Sequence, residues 1–219
     1  MTSPSEYFEI IGRYFGTGKL TELHYVNEFT LAVSVILSAQ ATDKKVNEVV
    51  PALFLIADTP EKMLALGEDG LKKHIKVISF FNNKAKNILA LATILRNEKQ
   101  IGGKWKFPEK YHKRDELMKL PGIGQKTANV VSNVLWGAPN IGVDTHVFRL
   151  SHRFGWVGGA DNTPEKVEQK LLKLIPKKYH SVANHLMVMH GRYICRALRP
   201  DCEHCPVSNI CIAKDKKPL

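Results

Sequence analysis

The chain has 219 residues, 44% of them hydrophobic and 24% charged, enough to bury one large domain or two small ones and too apolar for a disordered chain. A formal charge of +11 and a pI near 9.5 favour a polyanionic partner, with nucleic acid ahead of a membrane surface. Residues 1–12 lack the basic stretch and apolar run of a secretory signal, and Phe29–Leu37 and Leu53–Ala57 fall far short of the roughly 20 residues of a membrane span. A cytoplasmic protein with reduced thiols is expected.

In chain order the pattern is helical nearly throughout. Val46, Val49, Val50, Leu53 and Phe54 recur at helical spacing, as do Ala85, Ile88, Leu89, Ala92 and Leu95, and no sustained alternation predicts a strand. Pro51 interrupts the first of these patterns, so residues 43–57 form either one kinked helix or two shorter ones. Thr59-Pro60-Glu61 and Thr163-Pro164-Glu165 each place a hydroxyl cap before a proline at the first helical position, and Gly67, Gly137 and Gly155 are the matching stops. Ile101 to His112 lacks periodicity and predicts a loop leading into a short helix over residues 114–119. About ten helices imply an all-α protein with a central apolar bundle and a second lobe.

Leu120-Pro121-Gly122-Ile123-Gly124 separates that short helix from a longer one, Gln125 to Trp136, whose Ala128, Val131 and Leu135 share a face. Glycines at both ends of the turn let backbone approach a ligand, and the N–H groups opening the second helix form an anion site suited to a phosphate. The arrangement resembles the helix-hairpin-helix motif, which by itself implies only sequence-independent duplex binding. Lys126 lies in the first turn of the second helix, where it is either a surface charge or a nucleophile. As a neutral amine it could attack a sugar carbon and form a Schiff base. An ordinary lysine, with a pKa about 10.4, is almost wholly protonated at neutral pH, and the helix N-terminus contributes only about 0.3–1 kcal/mol against that. Desolvation, or a carboxylate that takes the proton, must supply the rest. Asp144, in Val143-Asp144-Thr145-His146, opens the next helix and would serve as an N-cap in any protein; beside an amine it could also stabilise positive charge as a base departs.

All four cysteines fall near the C-terminus, spaced Cys195-x6-Cys202-x2-Cys205-x5-Cys211. Four thiolates in one short segment suit a tetrahedral zinc or an iron–sulfur cluster, and the single C-x2-C knuckle favours the cluster over a zinc ribbon. Arg192, Arg196, Arg199, Lys214, Lys216 and Lys217 surround it and could hold phosphates or form a solvated basic tail.

Five segments, taken together and in order, resemble the endonuclease III family: Leu37-Ser38-Ala39-Gln40-Ala41-Thr42-Asp43, the hairpin with Gln125-Lys126-Thr127-Ala128-Asn129, Val143 to His146, His190-Gly191-Arg192-Tyr193, and the cysteine loop. The resemblance covers about residues 25–212. It implies an all-α, two-lobed helix-hairpin-helix DNA glycosylase fold: a six-helix barrel over residues 22–138, with the motif at about 114–135, and a helical domain of residues 1–21 plus 139–219 carrying a structural 4Fe-4S cluster in the loop 195–211. The active-site cleft would lie between them. Lys126 would be the nucleophile and Asp144 the essential carboxylate; Cys195, Cys202, Cys205 and Cys211 would hold the cluster. Gly122, Ile123, Gly124, Gln125, Thr127, Arg192, Arg196 and Arg199 would meet DNA, while Gln40, Phe80 and His146 would fill or probe the stack vacated by an extruded nucleotide. The implied partner is double-stranded DNA containing damaged pyrimidines or abasic sites, and the implied state a monomer. Two departures weaken single contacts: Phe80 stands where relatives often carry leucine, as a wedge or as core, and Gln125 replaces the more usual arginine. The adenine-mismatch branch of the superfamily is disfavoured, because Val33–Ile36 holds no carboxylate.

Overall fold

The computed structural model describes residues 1–18, 20–97 and 104–215 and contains, among these, ten α-helices and no β-strand. Residues 101–103 of the predicted loop, and Lys216 and Lys217, lie outside the described residues. None of the helices is long and apolar enough to cross a membrane. The chain divides into two compact units, one of Glu22–Trp136 and one of Met1–Thr21 with Gly137–Leu219.

The continuous unit is built around α2 (Glu28–Ser38), in which every residue from Phe29 to Leu37 is buried. A helix apolar on all sides can only be central. It starts on a reciprocal cap, the Asn27 side chain accepting from the Thr30 N–H while the Thr30 hydroxyl accepts from the Asn27 N–H. Around it pack α3 (Asp43–Ile56), α5 (Phe81–Leu95) and α7 (Gln125–Trp136), with α4 (Pro60–Ile75) bridging α3 and α5 and α6 (Arg114–Leu117) leading into α7. The segment around Pro51 is one helix, since buried Val46, Val50, Leu53 and Phe54 hold both sides of the proline against the core. Thr59 caps α4 as its sequence predicts, and Gly67, at φ 70°, breaks it into two pieces. The loop before α6 is anchored by Trp105 and Phe107, whose rings pack edge-on; the Glu28 carboxylate accepts from the Phe107 N–H at 2.7 Å.

The second unit joins the two ends of the chain. Its helices are α1 (Pro4–Phe15), α8 (Thr145–Arg153), α9 (Pro164–Leu174) and α10 (His180–Tyr193), with α10 packed against both α1 and α8. Tyr7, Phe8, Phe154 and Trp156 form an aromatic core. Hydrogen bonds pin Thr2 into it: its carbonyl accepts from the Trp156 indole at 2.8 Å and its hydroxyl donates to the Ile210 carbonyl at 2.8 Å. Gly137 and Gly155, both at positive φ, follow α7 and α8 as the predicted stops.

Candidate functional site

The hairpin is tied by its own backbone. The Leu120 and Ile123 side chains are buried, the Ile123 N–H donates to the Leu120 carbonyl at 3.1 Å, and the Ala128 N–H donates to the Gly124 carbonyl at 2.9 Å, opening α7. The two glycines differ in why they are needed. Gly122 sits at φ 77°, and a Cβ there would stand 3.0 Å from Asn87 Cβ and 3.2 Å from Ile36 Cδ1, so conformation and packing both demand it. Gly124 has no positive φ, and a Cβ on it would meet nothing within 4 Å. Gly122→Ala is therefore expected to lose roughly 1–2 kcal/mol or more of stability, whereas Gly124→Ala should stay within about 1 kcal/mol of wild type; urea denaturation of the pair checks this. Gln125 and Thr127 are half-buried and Lys126 is exposed on the first turn of α7.

Two further predicted residues of this unit share an unusual backbone. Gln40 (φ 54°) and Phe80 (φ 59°) are both left-handed and exposed, Phe80 by 64%, which removes the core alternative for its ring. Phe80 is the N-cap residue of α5 and makes no side-chain capping bond.

In the other unit Asp144 caps α8, one carboxylate oxygen accepting from the His146 N–H at 2.8 Å and the Val147 N–H at 2.9 Å. The capping role read from sequence is real, and it holds the carboxylate in a fixed orientation. His146 is half-buried against α10, where a Cβ on Gly191 would stand 2.9 Å from His146 Cβ. The glycine of His190-Gly191-Arg192-Tyr193 is thus the point at which α8 crosses α10. Arg192 is half-buried at this crossing, and Arg196 and Arg199 are exposed on the loop that follows.

The four cysteines are free and half-buried, and they line one pocket together with Phe154, His190 and Ile194. Among the described residues no three His, Cys, Asp or Glu side chains are gathered as ligands of a single metal ion. Two side-chain nitrogens face the sulfurs: Arg153 Nη1 donates to Cys195 Sγ at 3.3 Å, and His190 Nε2 lies 3.4 Å from Cys205 Sγ. Burial pushes the Cys205 thiol up to about 11 and drops His190 to about 4, where Arg149 and Arg153 add to the effect. On its other side His190 Nδ1 meets the Tyr7 hydroxyl at 2.9 Å.

Two arginines that sequence reasoning missed fasten this loop to α8. Arg149 donates to the Gly191 and Cys195 carbonyls at 2.8 and 3.0 Å, and Arg153 to the Arg196 carbonyl at 2.8 Å. Spacing gives no signal for them: at about 100° per residue, both fall off the α8 face that carries buried Val147, Leu150 and Phe154, where a charge reads as solvated.

Residues 33–177 match the family described as the HhH-GPD superfamily base excision DNA repair protein. Endonuclease III of Rickettsia conorii is 51% identical over 207 residues, 94% of each chain, and that of Escherichia coli K12 is 43% identical over 196 residues, 90% of this chain and 89% of the relative. Among solved structures, one described as a trapped endonuclease III–DNA covalent intermediate superposes with a TM-score of 0.82 at 39% identity, covering 97% of both chains. A thermostable thymine-DNA glycosylase, at 22% identity and a TM-score of 0.77, shares the fold. The all-α helix-hairpin-helix glycosylase fold is therefore observed, and the chain belongs to the endonuclease III family of bifunctional DNA glycosylase and abasic-site lyase enzymes, within the HhH-GPD superfamily of base excision repair.

Proposed function

We propose that the protein removes oxidised or ring-damaged pyrimidines from duplex DNA and then cuts the strand at the emptied sugar, with Lys126 as nucleophile and Asp144 as the carboxylate that assists it. The observation that carries this reading is the exposure of the Lys126 amine on the first turn of α7, directly after a hairpin whose Gly124 leaves open space for a phosphate. A relative whose structure is that of a covalent endonuclease III–DNA intermediate supports an enzyme-linked path. In that path the amine nitrogen bonds to the sugar carbon as the glycosidic bond breaks and its electrons leave with the base. Ring opening gives a Schiff base, loss of a proton from the neighbouring carbon expels the 3′ phosphate, and water later releases the enzyme. Asp144 stabilises the oxocarbenium-like charge and takes the amine proton.

DNA contacts follow from the same reading. Gly122, Ile123, Gly124, Gln125 and Thr127 would hold a phosphate at the start of α7; Arg192, Arg196 and Arg199 would hold the backbone on the other unit; and Gln40, Phe80 and His146 would enter the vacated stack. Residues 22–138 would act as the barrel domain, with residues 1–21 and 139–219 as the cluster domain. A monomer in the cytoplasm completes the proposal.

The cysteine pocket fits the implied cluster. Four soft thiols from one loop stand around its walls, with Arg153 donating to one sulfur and His190 Nε2 facing another, and each thiol could ligate one iron of a 4Fe-4S cluster. Such a group supplies folding energy to a segment too polar to pack by itself. Purified protein is expected to carry iron and acid-labile sulfide in that cluster's ratio; a colourless protein with stoichiometric zinc would refute the assignment.

Borohydride tests the chemistry directly. Hydride reduction of the Schiff base should leave wild-type protein covalently attached to duplexes containing thymine glycol or an abasic site. Base release without any crosslink would instead identify a monofunctional glycosylase that activates water.

A further inference from the structure

Lys84, in α5 of the continuous unit, is only 6% exposed, and its amine donates to two backbone carbonyls, those of Leu37 at 2.8 Å and Ala39 at 2.6 Å. Burying an ammonium is costly, and burial pushes Lys84 below the ordinary lysine range. Its position explains the expense. Leu37, in the last turn of α2, is fully buried, Ala39 is the residue that caps the helix, and a cation is the favourable charge at a helix C-terminus.

The turn that Lys84 holds is the one that carries Gln40. Among the described residues three non-glycine positions have positive φ, and two of them are Gln40 and Phe80. A left-handed L-residue persists only where its surroundings over-determine it. The backbone N–H of Lys84 donates to the Phe80 carbonyl at 3.1 Å, while its side chain reaches across to Ala39, next to Gln40. One residue therefore fastens both strained turns, by its main chain at one and its amine at the other.

We propose that Lys84 is a positioning residue that fixes Gln40 and Phe80 relative to each other, so that both enter the base stack together when a nucleotide leaves it. The inference rests on the reading of Gln40 and Phe80 as stack-entering residues given above.

The test compares single-turnover base release from two duplexes: thymine glycol opposite adenine, where an orphaned base must be held, and thymine glycol opposite a tetrahydrofuran abasic analogue, where none remains. Both are measured on one preparation of each variant, so their ratio is independent of the folded fraction. Lys84→Met is expected to slow the paired substrate about ten-fold, the scale of a misplaced binding group, and the tetrahydrofuran substrate less than about two-fold. Gln40→Ala should show the same bias, and the Lys84→Met, Gln40→Ala double variant should lose little more than either alone. Should Lys84→Met not accumulate, Lys84→Gln, which keeps a donor, serves in the same comparison. Equal losses on both substrates, or additive losses in the double variant, overturn the positioning role while leaving the function intact. If Gln40→Ala and Phe80→Ala themselves treat the two substrates alike, the stack-entering reading fails and the inference falls with it.

Discussion

Lys126→Gln is expected to abolish borohydride trapping and to slow strand cleavage at abasic sites by about 10³-fold or more, since a residue that forms the covalent bond has no substitute. Stability should hardly move, because the residue is exposed in the first turn of α7 and surface replacements cost within roughly 0.5 kcal/mol. Loss of one cation also weakens binding to phosphate, so glutamine alone does not separate a nucleophile from a DNA-binding charge. Arginine separates them. Lys126→Arg keeps the charge and the phosphate contact but offers no amine that can become neutral. A phosphate-binding lysine would be rescued by arginine; the nucleophile would not. Recovery of trapping in Lys126→Arg, or an adduct formed by Lys126→Gln, would remove Lys126 from the chemistry.

The parts of the fold that the sequence makes legible are those decided by local chemistry. Thr59-Pro60 and Thr163-Pro164 mark helix starts because a hydroxyl next to a proline satisfies the first N–H groups wherever it occurs, and both hydroxyls do accept from the third helical residue, Lys62 and Lys166. Gly67, Gly137 and Gly155 mark breaks because only glycine takes positive φ cheaply, and all three have it. Pro51 is the contrary case: its local signal is strong, yet four buried apolar neighbours carry the helix through it.

The functional residues divide along the same line. The spacing of Cys195, Cys202, Cys205 and Cys211 is visible because all four fall in one short segment, and the hairpin glycines because a single residue, Ile123, separates them. Lys84 and Arg149 escape notice because their carbonyl partners are 47 and 46 residues away, beyond any periodic window. Lys84 did leave a trace: Phe81, Lys84, Ala85 and Ile88 fall at i, i+3, i+4 and i+7, so a charge occupies the buried stripe of α5. Nothing in spacing pairs Lys126 with Asp144, which belong to different units; that pairing comes from the endonuclease III resemblance.

On the proposed reading Asp144 would perform two tasks with one carboxylate, the cap it is seen to make and a part in the chemistry, and the choice of replacement separates them. Asparagine caps a helix about as well as aspartate, so in Asp144→Asn the amide oxygen can go on accepting from His146 and Val147 and stability should change by less than about 0.5 kcal/mol. The negative charge is gone, and release of damaged base should fall about 10²–10⁴-fold, the range of a lost acid–base or charge-stabilising group. Asp144→Ala loses the cap as well, about 1 kcal/mol, at a similar loss of rate. The step that suffers reports what the carboxylate does. If it chiefly stabilises the charge left by the departing base, a preformed abasic site bypasses the need and is still trapped by Asp144→Asn, while thymine glycol is not. If it chiefly removes the proton from Lys126, both substrates fail together, since the amine must be neutral in either case. An asparagine variant as active as wild type, with the alanine variant losing activity only in step with its stability, would reduce Asp144 to the helix cap that its hydrogen bonds already make it.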